Sequence, residues 1–177
     1  MRAVVGLGNP GPDYAATRHN AGFLLADAVA EHWGFPPFRR AERARATEGT
    51  VHGTPVRILK PTTFMNRSGA ALASLRADPA FDPARDLLIL VDDFQIPLGT
   101  FRFRTEGSAG GHNGLKSIEG ALQSQQYARL RIGVGPLPEG TGDWADYVLA
   151  PFEPEELDQL TSLTPRMIEE VEKWLKT

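Results

Sequence analysis

Apolar and polar positions follow two rhythms along the chain, and the changes of rhythm mark the elements. "VVGLG" (4–8) opens with a short apolar strand that leads into glycines. In "AGFLLADAVAEHWG", Leu25, Val29 and Trp33 fall four apart, so the spacing predicts an amphipathic helix beginning near Thr17 to Asn20. Residues 39–60, "RRAERARATEGTVHGTPVRILK", read as two strands around a turn at His52-Gly53. "PTTFMNRSGAALASL" predicts a loop and then a helix from about Asn66. "DLLILVDD" (86–93) is a continuous apolar run ending in two acids, the pattern of a buried central strand. "GTFRFRTE" alternates Phe101 and Phe103 with Arg102 and Arg104, and "ARLRIGVG" places Arg129 and Arg131 on one face. Between them "GSAGGHNGLKSIEGALQS" is a glycine-rich loop running into a helix. "DWADYVLAPF" and one or two acidic amphipathic helices complete the chain. Strands alternating with helices predict the α/β class: a single domain, residues 1–177, with a central mixed β-sheet flanked by α-helices. The Pro/Gly stretch 136–142 reads as a loop inside it, since 35 residues follow.

Composition narrows the chemistry. The 177 residues, 41% hydrophobic and 23% charged, suffice for one sizeable core. No apolar run is long enough for a transmembrane helix, and "MRAVVGLGNPG" lacks the pattern of a signal peptide, so a cytoplasmic protein that does not engage membranes is expected. The absence of cysteine removes disulfides, thiolate metal sites and a cysteine nucleophile. The net charge of −3 hides an asymmetry. Residues 1–131 hold 16 Lys+Arg against 12 Asp+Glu, a net +4, and residues 132–177 hold 3 against 10, a net −7. A mildly basic body thus permits an anionic partner. The acidic C-terminal segment either covers the sheet or closes as a lid.

Gly6-x-Gly8-x-x-Gly11 has the spacing of a dinucleotide-binding loop, but its context differs. Pro10 and Pro12 oppose a helix starting inside the loop, and Asp27 and Glu31 lie within the next helix rather than after a second strand. What remains is a rigid polar loop at the carboxyl end of strand one, where α/β sheets hold ligands, with Asn9, Tyr14, Arg18, His19 and Asn20 clustered on it. Asp92, at the end of another parallel strand, belongs on the same edge, so a His19–Asp92 pair is expected. No G-x-S-x-G elbow surrounds Ser68, Ser108 or Ser117, which leaves water, deprotonated by His19, as the nucleophile. Structural alternatives stay open: Asn9 bonding its own turn, His19 capping the next helix, and Asp92 and Asp93 capping turns. Asn9, Asn66 and Asn113 offer amides to an oxyanion or carbonyl, and "SAGGHNG" allows close backbone approach and an anion at a helix N-terminus. His19, Asp92, Asp93 and His112 show no metal-ligand spacing, and neither metal nor cofactor is expected. Arg102, Arg104, Lys116, Arg129 and Arg131 are natural phosphate contacts, with solvated faces as the alternative.

Four stretches, "GLGNPGPDYAATRHNAG", "PTTFMNRSG", "VDDFQIPLG" and "GSAGGHNGLKSI", together resemble bacterial peptidyl-tRNA hydrolase over residues 1 to about 135. The resemblance implies cleavage of the ester joining peptide to the 3′ ribose of tRNA, which recycles tRNA from dropped-off peptidyl-tRNA. It implies His19 as base, Asp92 as its partner, and Asn9, Asn66 and Asn113 as holders of peptide, water or oxyanion. It implies that Tyr14 and Met65 shape the cleft, and His112 joins the substrate-binding set. It implies a clamp on the tRNA 5′-phosphate from Arg104 and Arg131, with Arg102 and Lys116 nearby, and a monomer. The chain departs from the family pattern at Val91, at Gln95-Ile96-Pro97 and at Pro136.

Overall fold

A computed structural model describes residues 1–140 and 142–177. The order is β1 (Arg2–Gly6), α1 (Ala21–His32), β2 (Arg39–Ala41), β3 (Ala44–Val51), β4 (Thr54–Pro61), α2 (Ala73–Arg76), α3 (Pro83–Asp86), β5 (Leu87–Pro97), β6 (Phe101–Arg104), α4 (Asn113–Leu122), β7 (Ala128–Gly135), α5 (Trp144–Leu149) and α6 (Pro154–Leu175). Short 3-10 segments occupy Arg18–Asn20 and Met65–Leu72. The seven strands form one mixed sheet in the order β2-β3-β4-β1-β5-β7-β6. β4, β1, β5 and β7 pair parallel; β3 pairs antiparallel with β4, β2 antiparallel with β3, and β6 antiparallel with β7. The expected single α/β domain with a central mixed sheet is what forms.

Two apolar layers cover the sheet. Val4, Leu88, Leu90, Leu130 and Ile132 face α1 and α6, while Ala3, Val5, Leu87, Ile89 and Val91 face the 65–76 segment and α4. β5 is therefore apolar on both faces, which is why its sequence does not alternate. The acidic C-terminal segment is one 22-residue helix, α6, whose Leu160, Leu163, Met167, Val171 and Trp174 bury against the sheet. It covers the core, while α5 takes a position at the cleft.

The glycines of the opening motif have a packing role. A Cβ on Gly6 would come within 2.4 Å of the Gly22 carbonyl oxygen. A Cβ on Gly22 would meet the Leu90 and Leu7 carbonyl oxygens at 2.3 and 2.6 Å. The first turn of α1 thus lies directly on β1 and β5. Gly11 takes φ +102°, the conformation that turns the loop back.

Two local expectations are revised. Residues 39–60 form three strands, because Arg43 adopts φ 56° and turns β2 back onto β3. The helix expected from Asn66 is mostly 3-10 and kinked at Arg67, with only Ala73–Arg76 α-helical. Gly69 there packs so closely on α4 that a Cβ would come within 2.2 Å of the Ser117 carbonyl oxygen. Among the described residues, no helix is long and apolar enough to cross a membrane.

Candidate active site

β1 and β5 are parallel neighbours, so their carboxyl ends bring the loop after Gly6 beside Asp92. His19 sits in the 3-10 turn before α1 and is buried. Its Nδ1 lies 2.8 Å from Asp92 Oδ2, and His112 Nε2 lies 2.9 Å from Asp92 Oδ1. The carboxylate is 2% exposed, so it is effectively shared between two imidazoles. Burial alone would raise its pKa; the adjacent His112 and His19 outweigh that and hold it down at about 2. Asp92 is therefore an anion at neutral pH, and both rings donate to it.

The network also assigns the ring tautomers. His112 Nδ1 accepts from the N–H groups of Gly114 and Leu115, as the N-cap of α4. Its proton must then reside on Nε2, facing Asp92. His19 commits Nδ1–H to Asp92, which leaves Nε2 as the lone pair available to a reacting water. His19, Asp92 and His112 place ligand atoms within 4.8 Å of one another. The donor set still fits a metal poorly, because His112 could ligate only by losing the proton that its cap geometry fixes. Asp93 stands outside this cluster, accepting from the Gln95 N–H and lying 3.5 Å from Arg131.

Asn9 does not bond its own turn. Its Oδ1 accepts from the Met65 N–H at 2.8 Å, while its N–H donates to Asn20 Oδ1 and its carbonyl accepts from Asn20 Nδ2. This locks the amide orientation and leaves Nδ2 to donate outward. Asn20, clustered with His19 in the sequence but given no role there, is the buttress. Likewise His19 caps no helix; its ring is committed to Asp92.

Asn9, His19, Met65, Asn66 and Asn113 line one cleft of about 250 Å³. Phe64 lines it too, half-exposed and at φ 62°, with Tyr14 edge-on to its ring at 6.3 Å. The opposite wall is α5, through Trp144, Ala145, Val148 and Leu149. Sequence reasoning missed this wall; its signal is the 43% exposure of Leu149 beside Trp144 in a short helix. Arg18, next to His19, fastens the wall in place. It donates to the Tyr147 carbonyl and to Glu156 at 2.6 Å, and stacks on the Tyr147 ring.

The expected phosphate contacts divide. Arg102, Arg104 and Lys116 are exposed at the β6 edge and on α4. Arg131 is half-buried, donating to the Ser108 carbonyl. Arg129 is corrected: it is fully buried, and its guanidinium donates to the carbonyls of Gly107, Gln125 and Tyr127. The glycine-rich loop folds over it, so it anchors that loop and reaches no ligand. The anion site expected at the α4 N-terminus is also filled, since the His112 ring takes the N–H groups of Gly114 and Leu115.

Known proteins match this chain in sequence and in fold. The family model described as peptidyl-tRNA hydrolase matches residues 3–177. A "Peptidyl-tRNA hydrolase" of Gemmatimonas aurantiaca is 45% identical, covering 99% of this chain and 93% of its own. That of Chloroflexus aggregans is also 45% identical, covering 97% and 91%. The crystal structure of peptidyl-tRNA hydrolase from Acinetobacter baumannii superposes with a TM-score of 0.90 at 31% identity, over 99% of this chain and 89% of that one. With a full-length match in both sequence and fold, the chain belongs to the peptidyl-tRNA hydrolase family.

Proposed function

We propose that the chain hydrolyses the ester between a peptide and the 3′-terminal ribose of tRNA, by general-base activation of water at His19. The observation that carries this reading is the buried His19–Asp92–His112 array, open at a cleft lined by the amides of Asn9, Asn66 and Asn113. His19 Nε2 takes a proton from water, and the water oxygen attacks the ester carbonyl carbon. Asp92 stabilises the imidazolium that forms and keeps its tautomer. Asn9 Nδ2 and the Asn113 amide donate to the developing oxyanion, and Asn66 steadies the peptide carbonyl. Collapse breaks the bond to the ribose oxygen, which receives the proton from His19. The products are a peptide acid and free tRNA. An ester releases an alkoxide more readily than an amide releases an amine, so the peptide's own bonds survive. Arg104 and Arg131, with Arg102 and Lys116 around them, hold the tRNA 5′-phosphate. Met65 completes the substrate wall. His112, expected in the substrate-binding set, has both ring nitrogens engaged and acts through Asp92 instead. The protein acts as a monomer in the cytoplasm, where its substrate arises.

The test is release of N-acyl-amino acid from N-acyl-aminoacyl-tRNA, with and without chelator, beside His19→Ala. Chelator-resistant release that disappears in the variant is expected. A folded wild type that binds tRNA without cleaving it overturns the hydrolytic reading.

A further inference from the structure

A second cationic surface lies at the other end of the sheet. Arg40 stands directly opposite Arg45 across β2 and β3, and Arg45 stands opposite Lys60 across β3 and β4. Neighbouring strands are about 4.8 Å apart, so the row spans about 10 Å. Like charges directly opposite one another destabilise a sheet. Only one of the three is neutralised among the described residues: Lys60 meets Asp27 at 2.6 Å. Arg40 and Arg45 are exposed, with Arg39 and Arg43 exposed beside them. Residues 39–60 carry six cations against the acids Glu42 and Glu48, and Glu48 faces Arg57. This segment therefore supplies the positive excess of the body.

The row also adjoins the active site. β4 runs parallel to β1, so Lys60 lies at the same carboxyl edge as Asn9. A groove of about 260 Å³ joins them, lined by Asn9, Gly11, Phe23, Asp27, Arg45 and Lys60. Lys60 Nζ sits 4.3 Å over the Phe38 ring.

We infer that Arg40, Arg45 and Lys60 form a second phosphate-contact surface for the RNA of the substrate, on the opposite side of the site from Arg104 and Arg131. The inference rests on the peptidyl-tRNA reading above. Arg40, Arg45 and Lys60 project from the sheet face that Ile58 shares with α1, whereas Arg131, opposite Val91, and Arg104, opposite Arg129, project from the α4 face. From β7 to β3 is four strand spacings, about 19 Å, so an RNA arm meets both surfaces by crossing over the carboxyl edge from one face to the other. Nascent peptides carry no fixed charge, whereas the phosphate backbone is an anion in every substrate. A row of unpaired arginines therefore suits the RNA better than the peptide.

The test compares wild type with Arg40→Gln/Arg45→Gln. The readouts are binding of deacylated tRNA over a salt series and kcat and KM for N-acyl-aminoacyl-tRNA. Each lost phosphate contact lowers the slope of log K against log salt by about 0.7 to 0.9. We expect a slope shallower by about 1.5, binding of tRNA weakened about 3- to 10-fold at low salt, KM raised in step and kcat unchanged. Melting should hold or rise, since an opposed pair of like charges is removed. Unchanged tRNA affinity and slope overturn the inference, and so does a raised KM that varies with the peptide while deacylated tRNA binds normally. Deacylated tRNA needs no turnover, so a failure of hydrolysis in the wild type is read separately from a failure of this surface.

Discussion

Asp92 concentrates the design of the site in one residue. Its two oxygens each take one imidazole N–H, so a single buried charge orients His19, the proposed base, and the loop that carries His112 and Asn113. Asp92→Asn keeps the shape but presents an amide that can donate back, which disturbs the tautomer of His19. A fall in kcat of about 10²- to 10⁴-fold is expected in steady-state assays, and a near-normal rate would remove Asp92 from the mechanism. The same residue shapes acid stability. Its folded pKa of about 2 lies below the unfolded value, so its contribution is complete above about pH 4 and is lost as pH falls towards 2. Denaturant titrations between pH 5 and 2 should show that loss, of order 2 kcal/mol, in wild type and not in Asp92→Asn. Asn9 is the second such residue. Asn9→Asp retains the acceptor for the Met65 N–H but removes the donor at Nδ2. If that donor serves the oxyanion, kcat drops about 10²- to 10³-fold; an unchanged kcat assigns the role to Asn113 alone.

At the scale of elements, the site depends on how closely α1 sits on the sheet. Gly22→Ala would push a methyl into two backbone carbonyls that cannot move apart without separating β1 from β5. A destabilisation of about 3 kcal/mol or more is expected from chemical denaturation, with loss of activity following it. The sequence made the long apolar strands and the two amphipathic helices legible, because burial on one or both faces leaves a period in the residues themselves. His19, Asp92 and Asn9 were legible too, since parallel strands deliver their carboxyl-end loops to one edge. What stayed hidden depends on contacts across the chain. Arg43 takes a left-handed turn without being glycine, so the β2–β3 boundary carries no residue signal. Arg129 has the same alternation as Arg131, and only the folding of loop 105–112 over it decides that one is buried and the other is not. The α5 wall reaches His19 through Arg18 and Tyr147, residues 129 apart in sequence.

For the molecule as a whole, charge is arranged by region. Glu155, Asp158 and Glu169 of α6 are exposed, whereas Glu156 and Glu172 turn inward to Arg18 and Trp33, and the basic body presents cations at both ends of the carboxyl edge. A polyanion approaching that edge meets Arg104 and Arg131 at one end. These two residues are not equivalent. Arg104 is exposed and, among the described residues, its side chain bonds only the carbonyl of Phe103 next to it, so no described contact requires its charge. Arg131 also holds the Ser108 carbonyl and faces Asp93, so it supports the glycine-rich loop as well. Arg104→Ala should therefore weaken tRNA binding, make its salt slope shallower by about 1, and leave kcat and melting unchanged. Arg131→Ala should do the same to binding but also lower kcat, because the loop it steadies carries His112 and Asn113. Equal effects of the two substitutions on kcat would mean that loop 105–112 holds its shape without Arg131, and unchanged binding in both would place the 5′-phosphate elsewhere.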